Sequence, residues 1–122
     1  MTRLTGIVEK GWGFENIWAT NDKYCAKLMN FKEGARFSMH FHAEKMETWY
    51  VLNGIFEVEV LHTNDASISS KMLYPGQVHH NDPLVPHRLI CHTAGTILEV
   101  STPDSVEDNY RVMPGDSQKT LS

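Results

Sequence analysis

His40 and His42 are separated by a single residue, inside the stretch GARFSMHFHAEKMETWYVLNG that runs from Gly34 to Gly54. In an extended chain, residues two apart leave the backbone on the same face. Two imidazoles so placed point into one space. Glu47 follows after four residues, enough for the chain to turn and present a carboxylate from the next strand. A third imidazole is available downstream at His87. Imidazole and carboxylate are ligands for divalent first-row metals. The set His40, His42, Glu47 and His87 therefore predicts one divalent ion: zinc, iron, manganese, nickel or cobalt. Ligand softness does not choose among these. Four protein ligands leave one or two positions for water or substrate.

The elements that must position these groups fit one small domain. The chain has 122 residues, 41% hydrophobic and 21% charged, ordinary for a globular protein with a single core. A net charge of -4 removes the basic footprint of a nucleic-acid binder. No apolar run approaches the roughly 20 residues of a membrane helix. The start, MTRLTGIVEKGWG, lacks the apolar region of a signal peptide. Two cysteines, Cys25 and Cys91, make no disulfide framework. A reduced, cytoplasmic protein is the expectation.

Residues Ala35 to Phe41 alternate strictly, the mark of a half-buried strand. Arg36, Ser38, His40 and His42 share one face, and Phe37, Met39 and Phe41 the other. With the histidines inward, the apolar face points outward and needs cover. A homodimer that buries it is the expectation. Further strands are predicted at Lys23–Asn30, Glu47–Leu52, Ile55–Leu61, Ala66–Leu73, His87–His92 and Thr96–Thr102. Asn53-Gly54 reads as a hairpin turn, and Pro75-Gly76 and Ala94-Gly95 as turns. In QVHHNDPLVP, His79 and His80 fall on opposite faces, so one of them can line a cavity. Glu99 interrupts the apolar strand TILEVST, where a carboxylate is costly unless paired. It is either an edge residue in a salt bridge or a cavity group. Many short strands between turn signals argue an all-β sandwich or barrel. Residues 1–20 read as an arm whose Trp12, Phe14 and Trp18 pack on the body. Residues 21–112 form the barrel, with a short ordered piece at Val106–Val112, and 113–122 are a loose tail.

The pattern G-x5-H-x-H-x4-E-x6-G, from Gly34 to Gly54, matches the first motif of the cupins in full. Pro75-Gly76 followed by Pro86-His87 resembles their second, looser motif. Asp82-Pro83-Leu84 stands where that family has Pro and Gly, and Cys91 where an Asn often follows the histidine. The resemblance spans residues 8 to 102 and implies a double-stranded β-helix, a jelly-roll barrel with ligands from opposed strands. The flanks sharpen it. GIVEKGWGFE and EVSTPDSVEDNYR resemble the segments flanking the cupin barrel of type II mannose-6-phosphate isomerases, with Gly11 in place of a Pro. Lys27 matches a lysine of those isomerases, and Glu107-Asp108 followed by Arg111 matches their acidic pair and arginine. This implies aldose–ketose isomerisation or epimerisation of a small sugar or sugar phosphate. Moving a proton between C1 and C2 needs one base of suitable pKa, and Glu99 and His79 are the candidates. Lys27, Lys45 and Arg111 would hold a phosphate. Arg36 and Ser38, on the histidine face, point to a polar substrate, carbohydrate above all. Two other classes stay open: an Fe(II) dioxygenase of a small organic substrate, and a non-catalytic metal-dependent binding module.

Overall fold

The computed structural model describes residues 5–103, 105 and 107–113. Val106 and the predicted loose tail beyond Met113 lie outside the described residues. Nine strands make up the described fold: β1 (Gly6–Lys10), β2 (Gly13–Thr20), β3 (Cys25–Phe31), β4 (Met39–Phe41), β5 (Glu47–His62), β6 (Ser67–Leu73), β7 (Val78–Asn81), β8 (His87–Ser101) and β9 (Tyr110–Met113). No helix occurs among the described residues, so none is long and apolar enough to cross a membrane.

The organising unit is the antiparallel ribbon of β5 and β8, 16 and 15 residues long. It runs from the pair Glu47↔Ser101 to the pair Val60↔His87, with register shifts around Asn53 and Ile55. Each half of the ribbon belongs to a different layer. The half with Glu47 and Glu99 is flanked by β7 and by β3, β2 and β1. The half with Val60 and His87 is flanked by β6 and by β4 and β9. The ribbon doubles over, and its two ends meet: His87 Nε2 lies 3.0 Å from Glu47 Oε1.

This corrects the expected turns at Asn53-Gly54 and Ala94-Gly95. Both dipeptides lie inside continuous strands, at the corner where the ribbon bends. The residue types were read correctly as backbone permissive, but the permission serves a bend. Gly54 sits at φ +85°, and a Cβ on Gly95 would stand 2.2 Å from the Asn53 carbonyl oxygen. Neither position accepts a side chain without moving backbone.

One end of the interior is apolar. Phe31, Trp49, Val51, Phe56, Val58, Leu73, Leu89, Cys91 and Ile97 form a cluster of buried residues there. The aromatic face expected to point outward is also corrected. Phe37 turns inward and packs edge-on to Trp12 at 4.9 Å and to Phe31 at 5.2 Å. Met39 is fully buried, and Phe41 stacks on Tyr110 at 5.1 Å. The strict alternation fails because Phe37 and Ser38 are not in a regular strand; β4 begins only at Met39. Of the three aromatics near the start, Trp12 is buried and stacks on Phe31 at 4.4 Å, whereas Phe14 and Trp18 are exposed. Trp12 sits in the turn before β2, out of register with the other two.

Candidate metal centre

Three histidines converge at the polar end of the interior. His40 comes from β4, His42 from the residue just after it, and His87 from the first position of β8, where His40 is its ladder partner. One ring nitrogen from each lies within 4.8 Å of the others. The remaining nitrogens are committed to backbone carbonyls. His40 Nδ1 donates to Ser38 O at 2.8 Å, His42 Nδ1 to Asp108 O at 2.5 Å, and His87 Nδ1 to Val85 O at 2.9 Å. A neutral imidazole that donates from Nδ1 carries its lone pair on Nε2. All three rings thus aim lone pairs at one point. Backbone carbonyls bonded to the far nitrogens are the usual support of metal-bound histidines.

Burial disfavours the protonated rings. It lowers the His40 pKa to about 3, with His87 close by adding to the effect. It lowers His42 as well, against the contrary pull of the Asp108 carbonyl. Neutral rings are what metal ligation requires.

Glu47 completes the set. Burial would raise its pKa, but the charge of Lys45 beside it holds it well below the ordinary carboxylate range. Its Oε1 faces His87 Nε2 at 3.0 Å, yet that buried nitrogen makes no hydrogen bond. A lone pair facing a carboxylate oxygen calls for a cation between or beside them. The orphaned Nε2, the fixed tautomers and the donor set all fit a divalent ion.

Around this point lies a cavity of about 140 Å³. Its lining includes Lys10, Trp12, Glu15, Lys27, Phe37, Ser38, Lys45, Glu99, Asn109 and Arg111. The charges form one buried chain. Lys27 Nζ lies 2.9 Å from Glu15 and 3.6 Å from Glu99; Lys45 Nζ lies 3.3 Å from Glu47 and 3.4 Å from Glu99. Trp49 Nε1 donates to Glu99 Oε1 at 3.0 Å. Complete burial, and then the negative charge of Glu47, raise the Glu99 pKa to about 7, although Lys45 and Lys27 pull it down. Glu99 is a cavity group, the second of the two roles its sequence position allowed.

The loop between β4 and β5 is held from the far end of the chain. The Asp108 carboxylate accepts from the amides of Ala43, Glu44 and Lys45 at 2.6, 3.1 and 3.0 Å. Burial opposes these bonds, but they lower its pKa. β9 then pairs with β4, with Arg111 opposite His40, which brings Arg111 to the cavity.

The structure gathers His40, His42, Glu47, His87, Glu99, Lys27, Lys45 and Arg111 at this end of the barrel. It separates two other candidates from the cavity. Arg36 is exposed, and its backbone bridges to Ile90 on the outer layer. His79 lies behind Trp49, with ring centroids 5.6 Å apart, and lines a different cavity. Glu15, Trp12, Phe37, Lys10 and Asn109 were not singled out as site residues. Glu15 points inward while its neighbour Phe14 is exposed, the reverse of the usual hydrophobic pattern. Glu15 stands opposite Met29 in the β2–β3 ladder, two residues from Lys27, a pairing that no local sequence pattern announces.

The fold and the histidine cluster define a cupin barrel, and solved structures share it. A KdgF from a Halomonas species is 21% identical, with 77% of this chain and 81% of that one covered at a TM-score of 0.66. An RmlC-like cupin from Shewanella frigidimarina is 25% identical, covering 84% of this chain and 87% of that one at 0.68. The capsular polysaccharide assembling protein CapF from Staphylococcus aureus is 17% identical at a TM-score of 0.80. It covers 92% of this chain, which spans 32% of CapF. No curated protein matches the chain. The profile of the family described as mannose-6-phosphate isomerase C-terminal matches residues 2–108, and the chain belongs to that family.

Proposed function

We propose that the protein binds one divalent metal ion through His40, His42, Glu47 and His87 and acts on a small sugar or sugar phosphate, by aldose–ketose isomerisation or epimerisation. The observation that carries the metal is the convergence of three Nε2 lone pairs, one of them orphaned, beside the Glu47 carboxylate. Support for the substrate comes from the lining. Lys10, Lys27, Lys45 and Arg111 offer cationic groups to a polyhydroxylated anion, and Glu15 and Glu99 accept hydrogen bonds from hydroxyls. The family description and the polysaccharide role in the name of CapF point the same way. A divalent ion bound here supplies Lewis acidity toward a carbonyl or a pair of vicinal oxygens.

The chain's own residues do the rest. Glu99 is the base: its carboxylate lines the cavity, and Trp49 and the two lysines fix its orientation. Arg111 sits at a strand edge near the cavity and holds a non-reacting anionic group. His79 is withdrawn as a base, because it does not face the cavity. The charged lining weighs against the dioxygenase reading.

The test is metal analysis of the purified protein joined to a sugar-phosphate isomerisation assay. Arg111→Ala should raise KM with less effect on kcat, and Glu99→Gln should lower kcat with less effect on KM. Oxygen consumption by iron-loaded protein without isomerisation would move the reading to a dioxygenase. An ordered metal with neither activity would leave a binding module. The proposal keeps a cytosolic homodimer, with a different seam. Tyr50, Leu52, Val78 and Val100 are exposed on the outer face of β7, β5 and β8. Light scattering at micromolar concentration tests it, and a monomer mass would remove it.

A further inference from the structure

A second line of polar groups runs behind the metal cavity, away from any substrate. In the ladder between β7 and β5, Asn81 stands opposite Glu47 and His79 opposite Trp49. Asn81 is 3% exposed and His79 9%. Asn81 Nδ2 donates to Glu47 Oε1 at 3.3 Å, and His79 Nε2 lies 2.9 Å from Asn81 Oδ1.

The direction of this line is set at one end. A carboxylate only accepts, so Asn81 must turn its amide nitrogen toward Glu47. Its carbonyl oxygen then faces His79, which must keep its proton on Nε2. The imidazole is held in turn by Trp49, whose tilted ring packs along it. Burial lowers the His79 pKa, which keeps the ring neutral and the tautomer available. Neither residue lines the metal cavity; His79 faces a separate space of about 230 Å³ with Val58, Val60, His62 and Lys71.

We propose that Asn81 and His79 are positioning residues for Glu47, a relay of two hydrogen bonds that fixes which oxygen the carboxylate turns toward His87 Nε2. The inference rests on the metal reading above. Glu47 is held at Oε2 by Lys45, 3.3 Å away. Without the Asn81 donor, Oε1 loses that hydrogen bond and is left beside the orphaned His87 nitrogen, and the carboxylate can rotate toward the lysine. Asn81 resists that rotation, and His79 prevents Asn81 from flipping its amide.

The test is Co(II) titration of the metal-stripped protein against a chromophoric chelator, with the visible spectrum of the bound ion recorded. Asn81→Leu should weaken Co(II) binding by about 10- to 100-fold and alter the visible bands. His79→Phe should weaken it by less, and His79→Gln, which retains a donor, should restore it. In a Glu47→Gln background, Asn81→Leu should have no further effect. An unchanged affinity and spectrum in Asn81→Leu would overturn the inference, as would a loss of equal size with and without Glu47. If Asn81→Leu does not fold, His79→Phe against His79→Gln decides in the same way. Wild-type protein that takes up no Co(II) would remove the metal reading itself, and this inference with it.

Discussion

The two ends of the barrel interior are built by the same strands to opposite purposes. Along β8, Leu89, Cys91 and Ile97 face a closed apolar core, while His87 and Glu99 face the polar cavity at either end of the strand. Along β3, Phe31 and Met29 belong to the core, and Lys27, on the same face as Met29, enters the charged chain. The apolar end gains stability from every side chain it buries. The polar end holds three buried carboxylates, two buried lysines and three histidines, groups that gave up water to get there. The lesson is a division of labour within one ribbon. Its bend folds a stable half-core under a costly site, and the core holds the costly groups in place.

Breaking the apolar end should give the largest effect. Phe56 is fully buried and meets Phe31 edge-on at 5.3 Å. Phe56→Ala should lower unfolding free energy by about 3–5 kcal/mol, read by urea titration of the metal-free protein. Co(II) affinity of the molecules that remain folded should stay near wild type, because Phe56 does not line the cavity. A comparable loss of affinity would mean that the two ends are not separable.

The polar end should answer differently to single and double changes. Lys27→Met leaves Glu15 and Glu99 without their shared cation and should cost about 3 kcal/mol. Adding Glu15→Leu removes one stranded carboxylate. The double variant should recover most of that loss or exceed wild-type stability by about 1 kcal/mol. If the double variant is less stable than Lys27→Met, the charged chain contributes to stability, and the comparison drawn above fails.

How far this division was legible in the chain depends on what carries the signal. The convergence of His40, His42, Glu47 and His87 was legible because their spacing is set by strand geometry, and Gly34 and Gly54 bracket the motif at turns and bends with positive φ. The all-β barrel was legible from the density of turn signals. The bend was misread as two turns, because permissive residues mark both a hairpin and a bend; only the partner strand decides. Phe37 was placed on the wrong side because alternation assumes regular strand, and the chain is irregular just before β4. Glu15 went unnoticed as a site residue because hydrophobicity ranks Phe14 as the inward neighbour. Alternation put His79 and His80 on opposite faces and left open which of them lines a cavity; the place of His79 behind Trp49 depends on pairing between β7 and β5, which no local pattern encodes.

The smallest expected effect is a pH dependence that separates the histidines from Glu99 in the metal-free protein. His40, His42 and His79 all have pKa values lowered by burial. For such a group the unfolded chain takes up a proton first, so stability is complete above the unfolded pKa of about 6.5 and falls as pH drops toward the folded value. For His40 that fall extends down to about 3. Glu99 has the opposite sign. Its folded pKa of about 7 lies above the ordinary 4.5, so its contribution is complete below 4.5 and is lost as pH rises through 7. Between pH 6.5 and 4.5 acidification therefore strips stability through the histidines and restores part of it through Glu99. Each uncompensated proton is worth about 1.4 kcal/mol per pH unit. Below 4.5 the Glu99 contribution is constant, and Glu47, held ionised in the fold, adds its own loss as it is forced to protonate. Wild-type metal-free protein should accordingly show a shallow decline from pH 6.5 to 4.5 and a steeper one beneath it, by urea unfolding at half-unit intervals. Glu99→Gln cannot titrate. It should steepen the upper segment by up to about 1.4 kcal/mol per pH unit and leave the slope of the lower one unchanged. Parallel curves for the two proteins from pH 6.5 to 4.5 would mean that Glu99 stays ionised in the fold, and that Lys27 and Lys45 outweigh its burial and the charge of Glu47.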